Sequence, residues 1–106
     1  MEIKQYAVHW INLDPTVGSE VSKTRPCVIL SPDEMNQFLR TIIVAPVTHT
    51  LKAYPSRVFC EVKGLQGAIM LDQIRTVDRT RIGSKLDKLS AAEINDVKSI
   101  INQMLC

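Results

Sequence analysis

Residues 56–73 read SRVFCEVKGLQGAIMLDQ, and the first seven decide the class of fold. Val58, Cys60 and Val62 alternate with Arg57, Phe59 and Glu61, a period of two that places the apolar set on one face of a half-buried strand. Gly64 and Gly67 then bound a turn, and Gly67 to Gln73, GAIMLDQ, is a second strand ending in an acid and an amide.

Upstream, Thr41 to Val47 (TIIVAPV) is another apolar strand, in which Pro46 is tolerable only near the end or at an edge. Thr48 stands where that strand runs out. Cys27 to Leu30 (CVIL) is a short continuous apolar run, too short for a helix, and fits a strand buried on both faces. Between these two, Ser31-Pro32-Asp33-Glu34 starts a short helix that ends near Leu39: Ser31 caps it, Pro32 suits the first helical position, and the acids favour the positive end of the dipole. Tyr6 to Leu13 (YAVHWINL) is a first strand closed by Asp14-Pro15, and Asp14 to Thr24 is an exposed loop. At the far end, Ser90 and Glu93 form a capping box, and Ile94, Val97, Ile101 and Met104 make an amphipathic helix that packs on the sheet. The expectation is a mainly β domain with helices (α+β), a small barrel or sandwich of five or six strands with a short internal helix and a C-terminal one.

The 106 residues suffice for one domain, 1–106, with one core. A content of 45% apolar and 23% charged residues excludes wholesale disorder and fibrous repeats. No apolar run approaches the roughly 18 to 20 residues that span a bilayer, and Met1 to Tyr6 lacks the apolar core of a signal peptide, so the expected location is the cytoplasm. Cys27, Cys60 and Cys106 are odd in number and scattered, which suits reduced thiols and no CxxC metal site; the first two read as small core residues.

A net charge of +2 is far from that of a protein that coats nucleic acid nonspecifically. The distribution is less even: Arg75 to Lys88, RTVDRTRIGSKLDK, holds five basic and two acidic side chains. It is a solvated face or, more pointedly, one wall of a groove for a phosphate backbone. Three places put polar side chains at the ends of apolar strands: Glu20 with Lys23 to Arg25, Thr48-His49-Thr50, and Asp72-Gln73 with Arg75. Pro26 disfavours the helical region for the residue before it, so Arg25 is held extended, its planar fork suited either to phosphate or to a surface ion pair with Glu20. Taken alone, Thr48 is a strand-terminal hydroxyl that satisfies backbone groups. His49 is either a lone exposed loop histidine or an acid/base group. His9 reads as structural, and Trp10, inside the first strand, as a core residue in preference to a platform for a base.

Leu13 to Pro32, LDPTVGSEVSKTRPCVILSP, resembles the signature of the MazF/PemK/Kid toxin ribonucleases, a DPT-x-GSE loop followed by Arg-Pro before a strand. APVT and LDQIRTVDRTRI resemble that family's next two motifs, in order and at similar spacing, and the likeness runs from about His9 through the final helix. It implies an SH3-like antiparallel β-barrel with a terminal helix. It also implies a homodimeric, sequence-specific endoribonuclease that cuts single-stranded RNA without metal or cofactor, by attack of the 2′-hydroxyl on the adjacent phosphate. Such a toxin inhibits translation and growth until a cognate antitoxin with a flexible acidic tail neutralises it. No membrane is involved, and DNA is bound only through the antitoxin complex. Carried over by position, Arg25 and Thr48 are catalytic, while Ser19, Glu20, Asp72 and Gln73 contact or position RNA; Glu20, Asp72 and His49 are candidates for the base. Some members place an arginine where Met70 stands here. Two other readings compete with this one. A non-catalytic SH3-like module that binds nucleic acid or protein shares the architecture. A gyrase poison of the CcdB type depends on a terminal Trp-Gly-Ile, against Gln103-Met104-Leu105-Cys106 here.

Overall fold

The computed structural model describes residues 2–14, 18 and 23–106. Its elements run β1 (Ala7–Asn12), β2 (Thr24–Ile29), α1 (Asp33–Phe38), β3 (Thr41–Thr48), β4 (Arg57–Val62), β5 (Leu65–Met70), β6 (Arg75–Asp78), β7 (Ile82–Lys88) and α2 (Ala91–Leu105). The sheet order is β4-β5-β3-β2-β1-β7, with β6 also on β3, and every pair is antiparallel. The expected small barrel is present as a curled half-barrel, with α2 at its C-terminal end.

Short apolar strands fold this way because the sheet has core on both sides. Val8, Val28, Ala45 and Val47 join Val58, Cys60, Ile69 and the helix residue Val97 in one cluster. Ala7, Ile11, Cys27, Ile29, Ile42 and Val44 join Val77 and Ile82 in the other. The central strands therefore feed both cores, which is why CVIL and TIIVAPV carry no polar alternation. Strand β4 feeds one core only, and its Val58, Cys60 and Val62 are buried against exposed Phe59 and Glu61, as the alternation requires.

Carboxylates of β7 and α2 reach the β4 end of this sheet order. Lys63 N–H donates to Asp87 Oδ2 at 2.8 Å, and Glu61 N–H donates to Glu93 Oε2 at 2.8 Å. Glu93 also completes the capping box with Ser90, so one side chain both starts α2 and satisfies an edge amide of β4. Along α2, Val97 is buried and Ile94, Ile100 and Ile101 pack on the core, while Met104 lies beyond it, exposed.

Several local expectations are corrected. Strand β1 starts at Ala7, since Tyr6 takes a φ of +69°. Ser31 does not cap α1; Pro32 holds the cap position without a side-chain bond. The Ser31 hydroxyl instead bonds the buried Asn36 side chain and accepts from Ile43 N–H at 3.1 Å, because partners across the fold outcompete the local amides. The β4–β5 turn is Lys63-Gly64 alone, both at positive φ (+52° and +78°), the two-residue geometry that matches strand twist. Gly67 is a strand residue facing Cys60, and a β-carbon there would come within 2.8 Å of Val47 Cγ1. Asp72 and Gln73 do not end a strand; they belong to a 3-10 turn, Leu71–Gln73. The run from Arg75 to Lys88 holds two strands that the sequence reading lacked.

Candidate active site

Arg25 and Thr48 are far apart in the chain and stand on neighbouring strands, β2 and β3. Cys27, Val28 and Ile29 pair with Pro46, Ala45 and Val44, and the ladder ends there, two residues short of both Arg25 and Thr48. On its other side Arg25 pairs with Ile11. Thr48 pairs with Ala68 of β5, whose neighbour Gly67 allows the close approach. The Thr48 hydroxyl accepts from Thr50 N–H at 3.2 Å, the local satisfaction expected of it, and keeps its own proton for donation. Both side chains are half-buried, at the rim of two strands whose middles are largely buried.

The basic run reaches this rim. Leu13 N–H donates to the Lys23 carbonyl at 3.0 Å and Lys23 N–H to Asp14 Oδ1 at 2.7 Å, closing the base of the β1–β2 loop. Arg75 Nη1 donates to the Leu13 carbonyl at 3.0 Å, and Arg81 Nη1 donates to the carbonyls of Asn12 and Asp14. Two cations of the run thus gather at the root of this loop instead of lying on a featureless solvated face. Arg75 and Arg25 both draw down the Cys27 thiol, yet burial outweighs them and pushes it up to about 12. Ser19 and Glu20, with the ion pair weighed between Glu20 and Arg25, lie outside the described residues.

Asp72 and Gln73 follow the far end of β5, four residues or more beyond the partner of Thr48. Asp72 Oδ1 lies 3.6 Å from Arg57 Nε and accepts from Ser56 Oγ at 3.1 Å. The Arg57 guanidinium lies 4.7 Å from the Tyr54 ring centroid, and Gln73 Nε2 lies 3.9 Å from Met70 Sδ. Arg57 is the ladder partner of Met70, so a guanidinium stands across the β4–β5 hairpin from that residue. Sequence reasoning missed Arg57, because on an alternating strand it reads only as a polar-face residue.

His49 is exposed, with Nδ1 3.5 Å from the Gln66 carbonyl oxygen. His9 is buried, with Nδ1 3.0 Å from the Gly83 carbonyl, but it is not fully satisfied: its buried Nε2 has no partner among the described residues. Trp10 is not a core residue. It is 40% exposed, on the same face of β1 as the buried Val8 and the exposed Asn12.

Residues 4–105 match the family described as PemK-like, MazF-like toxin of type II toxin-antitoxin system. The Endoribonuclease MazF of Staphylococcus epidermidis is 33% identical over 106 residues, covering 94% of this chain and 88% of the relative. A crystal structure of MazF from Deinococcus radiodurans superposes with a TM-score of 0.88 at 27% identity, covering 99% of this chain and 97% of that one. A MazE-MazF crystal structure from the same organism gives 0.83 at 26% identity over 99% and 97%.

Proposed function

The chain belongs to the PemK-like, MazF-like family of toxins of type II toxin-antitoxin systems, and from that premise we propose that it is an endoribonuclease that cuts single-stranded RNA at short sequence motifs. In this reading it acts in the cytoplasm as a homodimer, without a metal, and is held in check by an antitoxin that covers the RNA groove. The observation that supports the reading is the β2–β3 pairing, which puts Arg25 and Thr48 on adjacent strands, each two residues past the last pair of the ladder and half-buried.

RNA supplies its own nucleophile. The ribose 2′-oxygen forms a bond to the adjacent phosphorus as the bond to the 5′-oxygen breaks, leaving a 2′,3′-cyclic phosphate and a 5′-oxygen that takes a proton from water to become the hydroxyl. Protein work reduces to alignment, charge and proton transfer. Arg25 meets the charge that builds on the phosphorane; a guanidinium stays protonated and is a poor proton donor, so its part is electrostatic. Thr48 donates to a non-bridging oxygen and fixes the in-line geometry. His49, next in the chain, takes the 2′ proton: with Nδ1 donating to the Gln66 carbonyl, Nε2 keeps its lone pair. Asp72 is committed to Arg57 and Ser56 and serves with Gln73 to position flanking RNA. Ser19 and Glu20 read the RNA from the loop.

Incubation of the pure protein with a defined single-stranded RNA in EDTA tests the scheme. Discrete cuts with cyclic-phosphate ends are expected. RNA that is bound but intact would make the protein a binding module, and cutting that disappears only in EDTA would require a metal. A pH–rate profile unchanged between about pH 5 and 8 in His49→Ala would remove His49 as the base.

A further inference from the structure

Trp10 is the single tryptophan of the protein, and the fold turns it outward beside the site. The β1–β7 pairing slips on either side of His9, and the second slip spans Trp10: His9 is level with Lys85 and Ile11 with Ile82, so that Gly83 and Ser84 together face one residue. A bulge of this kind re-aims the side chain it flanks. Two features hold it. His9 Nδ1 bonds the Gly83 carbonyl at 3.0 Å, and a β-carbon on Gly83 would meet the Trp10 carbonyl oxygen at 3.0 Å and Trp10 Cβ at 3.4 Å.

The indole is one wall of a cavity of about 120 Å³ completed by Pro26, Val47, His49, Gln66 and Leu86. Drug-sized ligands occupy roughly 300 to 1,000 Å³, so this space suits one flat ring system. Its location narrows the occupant. Pro26 follows Arg25 and pairs with Trp10, while Val47 and His49 flank Thr48. Lys63 lines the same opening, so a ring entering it brings any attached phosphates toward cationic side chains.

Resting on the endoribonuclease reading, we propose that this slot receives one unstacked nucleobase from a nucleotide that flanks the scissile phosphate. The base lies with its face on the Trp10 indole and its edge toward His49 and Gln66. An RNA base is the ring that arrives already tethered to a phosphate at Arg25, and single-stranded RNA is read through such splayed bases. Stacking of a base on an aromatic side chain contributes about 5- to 150-fold in affinity.

The experiment uses an RNA bearing a 2′-O-methyl group at the mapped cut, which blocks attack but not binding. Tryptophan emission of the full chain is followed while anisotropy of a labelled copy reports binding. The expected result is quenching that saturates with the same Kd as the anisotropy. An abasic residue at one of the two nucleotides flanking the cut removes the quenching and weakens binding by about 5- to 150-fold. Trp10→Ala loses a similar factor, mostly in KM, and is then indifferent to the abasic residue; Trp10→Phe retains most of the affinity. Binding by anisotropy with unchanged emission, or equal affinity for the abasic RNAs, overturns the slot and leaves the nuclease reading standing. RNA that is neither bound nor cut overturns both. The abasic arm needs no protein variant, so misfolding of Trp10→Ala does not blunt the test.

Discussion

Two ends of the sheet each hold an arginine, in different surroundings. At one, Arg25 is half-buried and pairs with Ile11, while Arg75 and Arg81 spend their donors on main-chain carbonyls nearby. At the other, Arg57 lies almost buried, stacked on Tyr54 and 3.6 Å from the carboxylate of Asp72, which Ser56 also bonds. A cation gathered with other cations at a rim suits a phosphate; a cation held against a carboxylate holds a turn in place. The difference in surroundings, more than the presence of an arginine, is what the proposed division between chemistry and positioning rests on.

The largest expected effect tests the first end. Arg25→Ala should slow cleavage of a defined RNA about 100- to 1,000-fold, the usual cost of removing a preorganised donor to a developing oxyanion. Its urea unfolding midpoint should stay close to the parent's, because Arg25 sits at the rim and outside both cores. Full cleavage by this variant would break the comparison outright.

A smaller and differently distributed effect is expected at the second end. Arg57→Ala removes the cation from a half-exposed carboxylate and the stack on Tyr54. About 1 kcal/mol of stability should be lost in urea unfolding. Cleavage should fall less than about tenfold, through KM rather than kcat, because Asp72 and Gln73 lose their seat while the reacting groups do not. A kcat loss equal to that of Arg25→Ala would make both arginines catalytic and erase the distinction.

How much of this contrast is legible in sequence depends on what fixes each part. Strand β4 is written in its alternation, the central strands in their unbroken apolar runs, and α2 in Ser90 and Glu93, since each is specified by neighbours in the chain. Strands β6 and β7 are not, because only Val77 and Ile82 in them are buried; they are held by pairing with β3 and β1, which residues 75–88 do not encode alone. The posture of Arg25 follows from Pro26, but its placement on a strand beside that of Thr48 depends on a β2–β3 pairing set across α1. Arg57 meets Asp72 across a hairpin, and the outward turn of Trp10 depends on a bulge made with Gly83. In each case the missing information is a long-range pairing.

The smallest effect is expected at Cys27, which looks like a threat to the comparison. It lies two residues from Arg25 and pairs across the ladder with His9, so thiol and imidazole resemble a nucleophile and its base. Burial pushes the thiol up to about 12, against the pull of Arg75 and Arg25, and Sγ bonds the Arg25 carbonyl at 3.6 Å. Cys60 is also raised to about 12, by burial and then by the Glu93 charge. Only a thiolate reacts with iodoacetamide, so at pH 8 the folded protein should take up one equivalent, at exposed Cys106, with cleavage unchanged; in urea all three thiols should react. The sign of the pH dependence follows. The unfolded chain gives up its thiol protons near ~8.5 while the native state retains them, so stability is fully present below that value and declines as pH rises toward 12. Native-state alkylation of Cys27 at pH 8, with loss of cutting, would mean that the Arg25 end works through a thiol, and the contrast between the two arginines would no longer explain the chemistry.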